Sequence, residues 1–334
     1  LVGEAAKLSA YLTADDKRYD ATIRLGTETH TLDAEGEVTA TAPVPQFTAD
    51  DVVRALAQFH GETQQRAPVV SAIKRDGEAL HKRVRRGEDV EAPVRTVVLR
   101  SAEVLGIDRI APSADATSAD ATSADATSAD ATSADATSAD ATSALDAVTD
   151  TVALAGGYAS ERVEIRLRLH VGKGFYVRSL ARDLAHALGT VGHLSVLRRT
   201  ASGLFVVAER APAGVDGIAP ARADATALAS VDGALLEAAA RGDAASRAAL
   251  RAALVPLTRA CDALPSATLS EPGVRAARTG LALTAEAFDA GALPLDPGAG
   301  RVLVARAADG APVALLRCAA DGSFEVARGF VPQV

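Results

Sequence analysis

The spacing of apolar and polar residues changes several times along this chain, and each change marks an element. Over residues 161–171, Val163, Ile165, Leu167 and Leu169 alternate with Glu164, Arg166, Arg168 and His170. A period of two predicts a strand with one buried face. Directly afterwards the period lengthens. Val177, Leu180, Leu184 and Leu188 share one helical face, and Gly189 stands where the helix should stop. Residues 95–107 read as another strand. "YDATIRLG" reads as a strand, and "ETHTLDAEGEV" as a strand followed by a turn. "FTADDVVRALAQFHG" reads as a helix with Thr48 as N-cap, Asp51 three residues on and Gly61 as the stop. Its apolar stripe is Val52, Val53, Leu56 and Phe59. "HLSVLRRTASGLFVV" reads as two short strands. From about residue 214 to 264 the chain is Ala-rich and helical. From about residue 300 strands return, with Asp309-Gly310 and Asp321-Gly322 as hairpin turns. Strands and helices mix without regular βαβ alternation, which is the pattern of an α+β fold.

One stretch has no structural period. SADAT occurs six times in tandem from Ser113 to Thr142. It is too small and polar to bury surface that would offset chain entropy, so it reads as a disordered insertion. It lengthens the connection between two neighbouring strands, where extra length costs little. These boundaries divide the chain into residues 1–212, an Ala-rich helical segment at 213–265, and a small β-rich unit at 266–334.

Composition adds exclusions. The chain has 334 residues, 48% hydrophobic and 23% charged. No run approaches the ~20 apolar residues of a membrane-spanning helix, and no leader pattern is present, so a cytoplasmic protein is expected. Cys261 and Cys318 are isolated and the six histidines are scattered. Neither a metal site nor a disulfide framework is expected. Met and Trp are absent, and the chain opens on "LVGEAAKLSAYL" as if inside a packed element. A preceding N-terminal part is therefore expected.

Net charge is −8, but the repeat supplies six of the acids and the remainder carries only −2. Within that remainder, charge is uneven. Residues 161–199 hold eight Lys/Arg against three Asp/Glu, and residues 74–100 hold eight against five. Lys82, Arg83, Arg85 and Arg86 lie close together. Two basic segments in an acidic chain suggest a focused surface for a polyanion. The chemistry concentrates in "HVGKGFYVRSLARDLAHALG". A strand ends at Gly172-Lys173-Gly174, an aromatic pair follows, and Arg178 lies in the first turn of a helix. Lys173 and Arg178 can meet a phosphate or carboxylate, and Tyr176 can stack on a base. Each feature is ordinary alone; together in one strand–turn–helix corner they make the candidate site.

The pieces "GEAAKLSAYLTADDKRYDATIRLG", "THTLDAEGEV", "SAIKRDGEALHKRVRRGEDVE", "VRTV", "GKGFYVRSLARDLAHALG" and "GHLSVLRRTASGLF" resemble, in order, the bacterial tRNA pseudouridine synthase B (TruB) family. The resemblance covers most of residues 1–205 apart from the insertion. It implies a pseudouridine synthase fold with a mixed, mainly antiparallel sheet and a small C-terminal PUA-like RNA-binding domain. It implies isomerisation of a uridine in the tRNA T-loop by a monomer, without metal or cofactor. By motif, Tyr19 would stack on the flipped base, and Tyr176 would be the second aromatic wall and the proton-handling group. Arg178 would orient the catalytic carboxylate, Leu197 would line the pocket, and Lys173 would meet substrate. The Lys82–Arg86 helix would close on the RNA backbone. Val70 stands where the family usually has a Tyr, which removes one aromatic contact. The family's nucleophilic Asp belongs to a Gly-Thr-Leu-Asp-Pro type motif, which is not found in this chain, so the chain as given is expected to be inactive. Asp33 in "HTLDAEG" follows "KRYD" and matches a later turn of the family, so it is not taken as the nucleophile. The alternative function is a non-catalytic tRNA-binding or folding protein derived from the same family.

Overall fold

In a computed structural model of the chain, the described residues are 1–13, 16–71, 73–75, 78–88, 90–110, 162–207, 226–228, 231, 233–293, 298 and 300–331. The SADAT repeat, and with it the expected disorder, lies outside them. A 3-10 turn at Gly3–Leu8 runs into α1 (Ser9–Leu12). Then come β1 (Lys17–Leu25), β2 (Thr27–Thr29), β3 (Val38–Thr41), α2 (Ala49–Ala57) and β4 (Gly61–Arg66). A short ribbon of β5 (Lys74–Arg75) and β6 (Glu78–Ala79) leads into α3 (Leu80–Arg85). Next are β7 (Val94–Ile110), β8 (Arg162–Val171), α4 (Val177–Ala187), β9 (Gly192–Ser202), β10 (Phe205–Val207) and β11 (Thr226–Leu228). The remainder is α5 (Gly233–Ala240), α6 (Ala244–Ala253), α7 (Leu257–Ala260), β12 (Ser266–Thr268), α8 (Glu271–Arg278), β13 (Val302–Arg306), β14 (Pro312–Cys318) and β15 (Phe324–Gly329).

Seven strands form the main sheet in the order β11-β10-β9-β1-β8-β7-β4. Neighbours are antiparallel except β10 and β11. β7 and β8 pair directly, so the insertion between them does lengthen a connection between adjacent strands. Alternation fixes which face is buried. Ile23 of β1 lies opposite Ile165 of β8 and Leu194 of β9, and these side chains pack under α4 and α2. Leu180, Ala181, Leu184 and Ala185 of α4 complete that core. The other face is charged and cross-strand paired. Arg168 reaches Asp20 at 3.1 Å, Arg166 reaches Asp108 at 2.8 Å and Arg24 reaches Glu164 at 3.2 Å, while Arg162, on the same strand as Glu164, binds it at 2.7 Å. Such pairs contribute about 0.2–1 kcal/mol each. Their main effect is to fix register, because a one-residue slip would bury the charges.

The four-stranded sheet β12-β13-β14-β15 is buried on both faces. Leu303, Ala305, Leu316 and Phe324 pack with α8, whereas Val304 and Leu315 pack with α7, Phe330, and Leu8 and Leu12 from the start of the chain. That explains why "VLVA" and "VALL" are continuous apolar runs rather than alternating ones. Glu4 accepts a hydrogen bond from Val331 N at 2.8 Å and Lys7 donates to Gly329 O at 2.8 Å, which close this seam. The expected Asp-Gly turns are present: Asp309 accepts from Ala311 N and Asp321 from Ser323 N, with Gly310 and Gly322 both at φ 82°.

The sequence reading of α2 needs two corrections. The Thr48–Asp51 capping box is there, but Val53 is 54% exposed and does not belong to the buried stripe. The helix also ends at Ala57, and Gly61 at φ +82° opens β4 instead of closing the helix. β4, β11, β12 and α8 are strands and a helix that the sequence pattern did not mark.

Two half-buried or buried histidines make stability depend on pH. His193 is 4% exposed and its Nδ1 lies 2.7 Å from Thr27 O, so the neutral ring donates there. Burial holds its pKa below the ordinary 6.5, more than the Thr27 bond raises it. Burial also lowers His170, beside Arg18. The unfolded chain therefore binds these protons first. Stability is complete above about pH 6.5 and falls as pH drops from there through the folded-state values. Urea midpoints between pH 8 and 5 check this, and His193→Asn, which can still donate to Thr27 O, should flatten the slope.

Candidate functional site

The site assembles around the first turn of α4. Tyr176 is its N-cap residue, in extended conformation, and Arg178 follows in the first turn. The Arg178 guanidinium ties three segments together. Nη1 donates to Thr31 O at 2.9 Å and to Asp33 Oδ2 at 3.0 Å, and Nη2 donates to Val70 O at 3.0 Å. The planar fork suits this, since its donors diverge in one plane toward fixed acceptors. The position left by the absent tyrosine at residue 70 thus retains a use: the acceptor is a backbone carbonyl, which any side chain permits.

Asp33 is built into the turn between β2 and β3. Its Oδ1 accepts from Thr31 Oγ1 at 2.6 Å and Glu35 N at 3.2 Å, while Oδ2 takes Arg178. Both carboxylate oxygens are committed. The preceding Leu32 sits at φ 63°, a left-handed conformation unusual for a leucine, and is buried. Its carbonyl accepts from Leu194 N at 3.0 Å, which docks the turn on β9. The local strain thus places the Thr31 carbonyl and the Asp33 carboxylate together under Arg178.

The Tyr176 side chain packs on Ala67, Ile73, Leu80 and Val90. Leu80 opens α3, so this cluster connects the site to the basic element. Within that element the four cations differ. Arg83 donates to Glu88 at 2.7 Å, and Arg86 binds both Glu78 and Glu88, whose carboxyls are held below their ordinary range by those hydrogen bonds. Lys82 and Arg85 are exposed and make no ion pair among the described residues. Lys173 is exposed on the turn between Gly172 and Gly174, the latter at φ +81°.

Tyr19 and Leu197 lie on the sheet itself. Tyr19 is opposite Leu169 and Arg199, and Leu197 is opposite Ala21, so both side chains share the core-facing side. Tyr19 is half-buried and Leu197 is 43% exposed, where helical cover ends. Lys17 pairs with Val171, the last residue of β8, so Tyr19 lies at the same end of the sheet as the turn that leads to Tyr176. Gln65 was not marked by sequence reasoning. It is buried in β4 and hydrogen-bonds both backbone polar groups of Tyr176.

The profile described as "TruB family pseudouridylate synthase (N terminal domain)" matches residues 1–122. These residues are similar to the TruB family. Among TruB-family relatives, the chain is 36% identical over 231 residues to a protein named tRNA pseudouridine synthase B from Aromatoleum aromaticum, covering 69% of this chain and 58% of that one. It is 37% identical over 212 residues to the protein of the same name from Corynebacterium jeikeium, covering 62% and 53%. The chain therefore spans little more than half the length of these relatives. Its fold matches a chain solved in a Cbf5-Nop10-Gar1 complex, with TM-score 0.57 and 19% identity over 99% of this chain and 71% of that one. A second match is an H/ACA RNP bound to a substrate RNA containing 2'-deoxyuridine, with TM-score 0.55 and 18% identity over the same shares. The architecture is the pseudouridine synthase fold, α+β with an added C-terminal β unit. Among the described residues, no helix is long and apolar enough to cross a membrane.

Proposed function

We propose that this protein acts in the isomerisation of a tRNA T-loop uridine to pseudouridine, in the cytoplasm and as a monomer. The observation that carries this reading is Arg178, held by three acceptors beside Tyr176 at the end of the sheet that presents Tyr19 and Leu197. In this reading residues 1–212 form the catalytic domain, 213–265 a helical link and 266–334 a PUA-like RNA-binding domain.

The reaction needs little from the protein except positioning. The uridine leaves its stack, at a cost of a few kcal/mol, and is received between aromatic faces. Tyr19 and Tyr176 are the two walls, and Leu197 closes the apolar side. The N1–C1' bond breaks, the uracil turns, and a C5–C1' bond forms. N1 gains a proton and C5 loses one, so no oxidant or reductant is required. Tyr176 handles the proton, and Arg178 orients the carboxylate that attacks. Asp33 is not taken as that carboxylate, because it follows "KRYD", lies in the turn between β2 and β3 and has no Pro after it. Its role is to hold Arg178.

RNA backbone contacts come from Lys173 and α3. A cleft of about 640 Å³ between residues 6–11 and β14/β15 carries Arg317 and Arg328 beside Glu325, with Lys7 already paired to Glu4. Because Lys82 and Arg85 are free of ion pairs among the described residues, each should neutralise one phosphate. Lys82→Ala and Arg85→Ala are each expected to lower the salt slope of T-arm hairpin binding by about 1. Arg83→Ala should change the slope less, because Glu88 already neutralises Arg83. Titrations from 50 to 300 mM salt (about a sixfold range) check the ranking.

The deciding experiment is release of tritium from C5-labelled uridine in a T-arm hairpin by the full-length gene product. Release with pseudouridine in the product supports the proposal. Salt-dependent binding without release supports the alternative, a tRNA-binding or folding protein. That alternative is favoured by one observation: the Gly-Thr-Leu-Asp-Pro type motif of the nucleophile is not found in this chain. Loss of both binding and release rejects both readings.

A further inference from the structure

β4 has the sequence GETQQR, and Gln65 is its one buried residue. It is 6% exposed. A buried carboxamide is costly when left unpaired, so an apolar side chain would serve packing alone better. Here both ends of the amide are used on one target. Gln65 Oε1 accepts from Tyr176 N at 2.9 Å, and Gln65 Nε2 donates to Tyr176 O at 3.1 Å.

Those two groups belong to the peptide planes on either side of the Tyr176 Cα. Fixing both planes fixes φ and ψ, and with them the direction of the Cα–Cβ bond. The need is real at this position. Tyr176 is an N-cap residue without a side-chain cap, so its own N–H has no partner within the helix. Two further bonds run between the same segments. Ser179 Oγ, fully buried, donates to Arg66 O at 2.8 Å, and Arg178 reaches Val70 O. The start of α4 is therefore registered on residues 65–70, with Gln65 at the point where the phenol is aimed.

We propose that Gln65 is a positioning residue for the isomerisation: its carboxamide sets the backbone of Tyr176 and so the place of the phenol against the base. The proposal rests on the function assigned above. It never touches substrate, and its chemistry is specific. Leucine fills the space without either bond. Ionised glutamate accepts from Tyr176 N but turns a second acceptor toward Tyr176 O, and protonated glutamate regains the donor.

The test uses the full-length gene product and its variants Gln65→Leu and Gln65→Glu, because the nucleophile's motif is not found in this chain. Two quantities are read: hydrogen exchange at the Tyr176 amide, and kcat and KM for tritium release from the T-arm hairpin. In Gln65→Leu, Tyr176 exchange should rise roughly tenfold and kcat fall roughly tenfold or more, with KM within about twofold. In Gln65→Glu, the rate relative to wild type should climb as pH falls from about 8 to 5.5, where a buried carboxyl takes up its proton. Unchanged Tyr176 exchange in Gln65→Leu, or a pH-independent Gln65→Glu ratio, overturns the proposal. If Gln65→Leu does not fold, Gln65→Glu at the two pH extremes gives the same comparison within one protein, read by Tyr176 exchange. A wild-type full-length gene product that releases no tritium counts against the assigned reaction, whereas free exchange at Tyr176 in the wild type counts against the Gln65 clamp itself.

Discussion

Arg178→Lys is expected to lower the rate of uridine isomerisation by about 100-fold or more, a loss of the size that follows from misplacing a catalytic group by an ångström. The charge survives in this variant, so the loss isolates geometry. Lysine offers one compact ammonium where the guanidinium spans Thr31 O, Asp33 and Val70 O at 2.9, 3.0 and 3.0 Å. At least one acceptor loses its partner, and the turn at Asp33 and the loop at Val70 are no longer referenced to the same group. Stability should fall by only about 1–3 kcal/mol, because the site is partly open to water and freed carbonyls can hydrate. Single-turnover kinetics on a T-arm hairpin, set beside urea denaturation, separates the two effects. Retention of more than a third of the wild-type rate would show that Arg178 acts as a bare charge.

The second large effect lies at Gly192, where α4 crosses the sheet. A Cβ there would stand 2.8 Å from Ala185 Cβ and 2.9 Å from the Arg24 carbonyl. Neither neighbour can move alone. Ala185 is held in α4, and Arg24 belongs to β1, where its carbonyl is part of the ladder with β9. Gly192→Ala is therefore expected to destabilise the protein by about 1–3 kcal/mol, the usual cost of overpacking, by pushing α4 off the sheet. Because Arg178 and Tyr176 ride on the same helix, the RNA-dependent activity should fall along with the melting temperature. Thermal melts of Gly192→Ala and of Gly280→Ala provide the comparison. Gly280 has open space around its Cβ position and carries only the strain of φ +77°.

How much of this was legible in the sequence differs by element, for physical reasons. β8 and α4 were readable because each has one buried face, and burial leaves a period of two or of 3.6. The Asp-Gly turns were readable because only certain residues take left-handed conformations. β4 was not, because GETQQR is an outer strand with a single inward residue, and that residue is polar. Its strand state comes from pairing with β7, which lies some thirty positions away. The candidate site splits along the same line. Tyr19, Tyr176, Arg178 and Leu197 come from motifs, and the resemblance named them. What Arg178 binds did not follow from the motifs, since Thr31 and Asp33 are 147 and 145 positions away. Nor did the sequence show that two of the four cations at 82–86 are neutralised, Arg83 by Glu88 and Arg86 by Glu78 and Glu88, because those acids flank the helix and read equally well as solvated.

The seam between the first helical turns and the C-terminal sheet bears on the order in which the molecule is assembled. Lys7 and Gly329 are 322 positions apart. Closing a loop of that size before either sheet exists would cost chain entropy with almost no contact in return. Once both sheets stand, Leu8 and Leu12 find Leu257, Val304, Leu315 and Phe330 already arranged, and the closure is cheap. The seam is thus a late event. It does little to guide the chain to its fold and much to keep the finished molecule from opening, so weakening it shortens the lifetime of the native state more than it slows its formation.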